Sequence, residues 1–224
     1  QPIWRNAAVS KDGLSLAAIG SDTQTGEELV PQIVIFDLVS GDGVRYELAR
    51  TTTAQGVSSG EIQYVDALEW DYDGETLFFD SFNAIRSSFG NDLEFWDISA
   101  MRAWNNQTNN FGNGTVIPLF PSLNENISIG NPVLAKNSPC VMAFDLLETG
   151  DFGQETYSII GYNFEEGDIQ LIKETNGIAF PNYSTRDDAI LFDDYDFFGD
   201  LTLSIQPLAD NKISPNGQTR GLIQ

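Results

Sequence analysis

Short apolar runs broken by tight polar turns recur along this chain, and the pattern itself repeats. The segment Ala7-Ala8-Val9-Ser10-Lys11-Asp12-Gly13-Leu14-Ser15-Leu16-Ala17-Ala18-Ile19 aligns without gaps on three later stretches, Leu68 to Asp80, Pro132 to Phe144 and Pro181 to Asp193. In each copy an apolar or aromatic residue leads into a polar turn, and the turn into a run rich in β-formers, which predicts a hairpin. Asp12-Gly13 and Asp73-Gly74 are strong turn signals because glycine reaches positive φ without steric cost. Asn137-Ser138 and Arg186-Asp187 hold the same place with weaker turn formers. The four turn positions 12, 73, 137 and 186 lie 61, 64 and 49 residues apart, so the variation falls in the connections, as in stacked repeats.

A third strand follows each hairpin: Ile33 to Leu38, Leu93 to Ile98, Tyr157 to Tyr162 and Leu201 to Ile205. A fourth, less apolar one runs through Val44 to Leu48, Thr115 to Leu119, Ile169 to Ile172, and about Gln218 to Ile223. The first copy opens on an innermost strand near Ile3-Trp4. Ser99 to Trp104 could form one helical turn, and nothing else sustains a 3.6-residue period. Four short strands per unit predict an all-β chain, a β-propeller of four four-stranded blades. The expected division is one domain over 1–224, with blades at about 1–56, 57–120, 121–175 and 176–224. Such blades either close as a small ring or form part of a larger propeller or assembly, because each repeat needs a neighbour to cover it.

The order Pro-x-aromatic-Ser-x-Asp-Gly followed by an apolar strand resembles the PD40, or TolB-like, member of the WD40-like propeller repeats. Pro181, Tyr183 and Ser184 match its first half, Asp12-Gly13 and Asp73-Gly74 its turn, and Asp37-Leu38 and Trp96-Asp97-Ile98 the end of its third strand. No single copy carries every element. The resemblance implies a propeller used as a contact scaffold, in an extracellular or periplasmic setting. It supplies no catalytic residue to carry over.

Composition narrows the chemistry. The chain has 224 residues, 33 Asp and Glu against 11 Lys and Arg, a net charge of −22, and no histidine. An acidic surface of this kind repels phosphate backbones, so neither nucleic acid nor membrane insertion is expected. Without histidine, the commonest general base, the usual zinc ligand and the standard hydrolase triad are all missing. Cys140 stands alone in an apolar stretch, where a buried structural thiol is expected. No apolar run approaches the ~20 residues of a membrane helix. A start at Gln1 with no signal-peptide pattern suggests a processed chain or a piece of a longer one.

Three constellations remain. Asp194, Asp196 and Asp200 resemble the first half of a calcium loop, although Ile205 stands where a closing Glu would be needed. They are the candidate metal ligands, and no other cofactor is expected. Asp80, Asp145 and Asp193 each follow a phenylalanine at a strand end and could meet at a rim. A carboxylate-based glycoside hydrolase would need such a pair, with Trp4, Trp70, Phe79 and Tyr195 as sugar-stacking faces or, alternatively, as inter-blade core. Finally, the Asn- and Gly-rich segment from Trp104 to Ser128 reads as an exposed insertion and contact surface, with Trp104, Asn106 and Asn113 as binding candidates. It holds three of four sequons, at Asn106, Asn113 and Asn126, the fourth being at Asn182. The expected function is that of an exported, non-catalytic module that binds protein or glycan. The alternatives are a self-associating subunit of an extracellular assembly or filament, and the hydrolase.

Overall fold

The computed structural model describes residues 3–21, 31–48, 57–87, 92–120, 123–196 and 198–223, and among them there is no helix. The chain divides into two compact units, Gln1–Glu125 and Asn126–Gln224.

The first unit holds two blades. One is the antiparallel sheet β1 (Ile3–Val9), β2 (Ser15–Ser21), β3 (Gln32–Asp37) and β4 (Gly43–Glu47), paired in chain order. The next comprises β5 (Val57–Trp70), β6 (Thr76–Ser87) and β7 (Asp92–Arg102). A small hairpin, β8 (Trp104–Asn105) with β9 (Asn110–Phe111), then precedes the outer strand β10 (Val116–Pro118). The residues of one cluster alternate along the inner strands, Ala17 and Ile19 on β2 and Ile33 and Ile35 on β3, while Ala18 and Val34 between them are buried on the other face. Ala17 faces across to Ile35 and Leu77 to Met101, and all four are fully buried. These residues join Ile33 and Phe79 in one cluster spanning both sheets. Each of the large ones, from Ile33 and Leu77 to Phe79 and Met101, contributes about 1.5–3 kcal/mol by leaving water.

The second unit repeats the plan. Its blades are β11 (Ile127–Leu134), β12 (Val141–Thr149), β13 (Glu155–Asn163) and β14 (Asp168–Thr175), then β15 (Asn182–Tyr183), β16 (Ala189–Tyr195), β17 (Leu201–Pro207) and β18 (Arg220–Ile223). Ala143, Ile159, Ile190, Phe192 and Ile213 anchor a second two-sheet cluster. Four four-stranded antiparallel sheets, two in each unit, make the fold class all-β and the sheets propeller blades.

The first turns of three blades share one geometry. Ser10 N–H donates to Ser15 C=O, Asp71 to Thr76 and Ser184 to Ala189, all at 2.8–2.9 Å. Positive φ falls at the aligned positions Gly13, Gly74 and Asp187. The third copy differs: its turn is one residue longer, closing Ala135 N–H on Val141 C=O, and positive φ moves to Cys140. Cys140 is therefore half-buried in a turn rather than a buried core thiol, because the longer loop lifts it off the strand. The helical turn expected at Ser99–Trp104 is strand instead: Ser99 to Arg102 pair with Phe79 to Thr76, and cross-strand pairing overrides a weak local propensity.

Candidate functional site

In the second unit, sequential antiparallel order places the β12–β13 turn, the β14–β15 connection and the β16–β17 turn at one end of both sheets. The other turns lie at the opposite end. At the first end is a cleft of about 800 Å³ lined by Tyr157, Ile178, Phe180, Tyr195, Asp196 and Phe198 among others.

Each wall is held by backbone chemistry. The β14–β15 connection hangs on Asp145, a largely buried residue of β12. Its carboxylate accepts Ala179 N–H at 3.1 Å, Phe180 N–H at 3.0 Å and the Asn131 amide at 2.8 Å. Asp193 N–H donates to Ala179 C=O at 2.8 Å, and the Asn176 amide to Tyr195 C=O, which ties the connection to β16. With its backbone so pinned, the connection turns Ile178 and Phe180 outward, and Phe180 is 54% exposed at positive φ. The facing β16–β17 turn closes on Asp196, whose side chain accepts Phe198 N–H at 2.8 Å and Asp200 N–H at 3.0 Å. Gly199 supplies the positive φ that this turn needs. Phe198 thereby stands at the lip, 86% exposed.

The acidic residues nominated from sequence stand at this turn. Asp196 caps a turn, Asp194 accepts the Ser204 hydroxyl at 3.4 Å, and Asp200 is exposed at the turn's far side. Among the described residues no three of His, Cys, Asp and Glu come close enough to hold one ion. The carboxylates considered for sugar hydrolysis have different surroundings. Asp80 is buried and accepts Ala67 N–H at 2.7 Å, Asp145 holds the connection, and Asp193 is half-buried on β16. Trp70 and Phe79 are core, Trp4 is half-exposed with its ring edge-on to Phe36, and Tyr195 lines the cleft.

Trp104 requires a correction. It is 8% exposed, within the first core cluster, with its ring T-shaped against Phe111 at 5.2 Å. The segment from Trp104 onward is an ordered hairpin folded back on its blade. Asn106 is exposed but ties that hairpin to the β5–β6 turn, through its N–H to Glu75 at 2.7 Å and its amide to Asp73 C=O at 2.9 Å. Asn113 is exposed and caps Thr115 N–H at 3.0 Å. The lip phenylalanines were missed in the sequence because aromatics next to β-strands read as core. The signal available was Phe198-Gly199 set between carboxylates in a turn, where a core residue has no place.

The blades define the class: a β-propeller repeat protein. Solved structures agree at the level of fold. TolB from Acinetobacter baumannii is similar over 96% of this chain and 44% of its own, with a TM-score of 0.56 and 17% identity. An oligogalacturonate lyase from Vibrio parahaemolyticus matches over 98% of this chain and 53% of its own (TM-score 0.55, 13% identity). An acylaminoacyl peptidase from Pyrococcus horikoshii matches over 100% and 33% (TM-score 0.54, 12% identity). The chain thus spans at most about half the length of these proteins. No family model matches the sequence, and neither does any curated protein. The β-propeller fold, shared with TolB, is thereby established, and one fold serves all three of those proteins. No helix of the described residues is long and apolar enough to cross a membrane.

Proposed function

We propose that the chain is a non-catalytic binding propeller of an exported protein, extracellular or periplasmic, and that it holds a protein or glycan in the aromatic cleft of its second unit. One observation carries this reading: Ile178, Phe180 and Phe198 stand exposed on backbone that Asp145 and Asp196 hold in place. Exposed apolar side chains on a fixed frame are what a contact surface requires, since little conformational entropy is lost when a ligand is captured. The absence of histidine and the engagement of Asp80 and Asp145 by backbone amides support binding over hydrolysis. The location outside the cytoplasm rests on the resemblance to exported propellers. The test is capture of ligand on glycan and peptide arrays by the full chain and by a Phe180→Ala/Phe198→Ala variant. Binding that the variant loses supports the reading, whereas equal binding by both, or a glycoside that is turned over by the chain and not by Asp193→Asn, removes it.

A second reading, self-association, is favoured by Trp4, Val9 and Leu14, which are exposed on the first blade. Light scattering over a concentration series decides it: mass growth abolished by Trp4→Ser supports it, and a constant one-chain mass rejects it.

A further inference from the structure

The charges of the second unit are segregated by end. Residues 126–224 hold 15 Asp and Glu against 5 Lys and Arg. Lys136, Arg186 and Lys212 stand in the turns at the end opposite the cleft, and Arg220 begins β18 next to those turns. Lys173 is the remaining cation, within β14 opposite Ile159. The turns of the cleft end therefore carry no basic residue, but they carry Asp151, Asp196 and Asp200, with Glu155 at the start of β13. Glu155 accepts the hydroxyl of the cleft residue Tyr157. Aromatic faces flanked by carboxylates that outnumber the one cation near them, Lys173 two residues before the Thr175 that pairs with Tyr157, attract a cation twice: through the ring quadrupole and through direct charge. The cleft is also far larger than one side chain.

We infer that the cleft takes a basic peptide segment of a partner protein, one that alternates Lys or Arg with aliphatic residues. The cations lie on Tyr157, Tyr195 and the Glu155–Asp200 rim, and the aliphatic side chains cover Ile178, Phe180 and Phe198. A neutral glycan would use the rings and leave the rim charges without a counterpart. This inference rests on the cleft being the binding surface, as proposed above.

The probe is an N-acetylated, C-amidated decapeptide alternating Lys and Leu. A Glu-Leu decapeptide and a neutral oligosaccharide panel serve as comparisons, all titrated by calorimetry into the full chain. The expected result is binding of the Lys-Leu peptide alone, weakened about tenfold by Phe180→Ala/Phe198→Ala and by about the same factor by Glu155→Gln/Asp200→Asn. It should also weaken steeply between about 50 mM and about 500 mM salt. Glu165→Gln/Asp210→Asn removes equal charge at the opposite end and should leave affinity unchanged. If that control weakens binding as much as the rim variant does, the attraction is diffuse and the inference falls. If a glycan or the acidic peptide binds instead and is lost in the phenylalanine variant, the cleft is the site but the ligand class is wrong. If the Lys-Leu peptide binds and no cleft variant affects it, the cleft itself is refuted.

Discussion

The two units solve one packing problem differently. Each must seat the first turn of one blade beside the first turn of the next, and the aligned positions Gly74 and Asp187 both sit at that junction with positive φ. In the first unit the residue is glycine, and a Cβ there would meet Ser10 Cβ at 3.5 Å. The blades are joined around it by the Trp70 indole donating to Ala8 C=O at 3.0 Å and by Lys11 lying 3.5 Å over the Tyr72 ring. In the second unit Asp187, with no exposure, reaches across the junction. Its carboxylate accepts Lys136 N–H and Asn137 N–H at 2.7 Å each and the Ser138 hydroxyl at 3.1 Å. The same backbone bend is therefore made by a residue that fits it without strain in one case. In the other it is made by a strained residue whose side chain offsets the strain with charged hydrogen bonds.

Buried carboxylates differ by the donors they meet, and Asp80 in the first unit, which accepts Ala67 N–H from the neighbouring strand at 2.7 Å, is satisfied much as those of the second unit are. Asp145 and Asp187 in the second unit each accept three hydrogen bonds, Asp145 from the β14–β15 connection and from Asn131 on β11, Asp187 from the turn of the neighbouring blade. In the first unit Asp97 is 8% exposed and accepts the N–H of its own neighbour Ile98 at 2.7 Å. Burial outweighs that bond and lifts its pKa to about 7. A buried acid is stabilising or destabilising according to the donors it meets, not according to its depth.

The largest expected effect is at Asp187. Asp187→Ala keeps the strained φ and orphans three donors, so thermal or urea unfolding should show a loss of about 3–5 kcal/mol. Asp187→Gly removes the same acceptor but relieves the backbone, and should be milder by about 1 kcal/mol. Equal losses would mean that the bend carries no strain. Next is Asp97→Asn. Folding raises the pKa of Asp97, so the folded state binds this proton more tightly than the unfolded one. Native stability relative to the variant is therefore greatest below about pH 4 and is lost as pH rises to about 7. The variant should gain on the native chain by roughly 2–4 kcal/mol between those limits and by nothing further above them, as read from denaturant midpoints across pH. A flat difference would place Asp97 in contact with solvent. Gly74→Ala should cost about 1–2 kcal/mol through φ alone, there being room for the methyl group. The smallest effect belongs to Lys11→Met, about 0.5–1 kcal/mol at an exposed ring, and it should be absent in a Tyr72→Leu background.

The blades were legible in the sequence because three of the four first turns share one length and the strands alternate around them. Legibility failed where a local pattern has two physical outcomes. Arg186-Asp187 reads as a weak turn, because sequence cannot show that a neighbouring blade supplies donors to the aspartate. Asn and Gly between Trp104 and Gly114 read as an exposed insertion. Those residues in fact make the tight β8–β9 hairpin that lets Trp104 fold inward, and Tyr46 of the first blade closes over it, donating its hydroxyl to Gly112 C=O at 2.7 Å. For Asp187 and for Trp104 the deciding partner is distant in the chain, and spacing alone carries no trace of it.

Every blade pairs its strands in the order in which they are made, from β1 with β2 through β17 with β18. A sheet of this kind needs only a hairpin's length of chain to begin and never waits for a strand from the far end. On a ribosome, the first two blades could settle on each other, with Phe79 and Met101 shut away from water, while the residues of the third were still being added. The two blades of a unit can thus cover each other before the next unit is made.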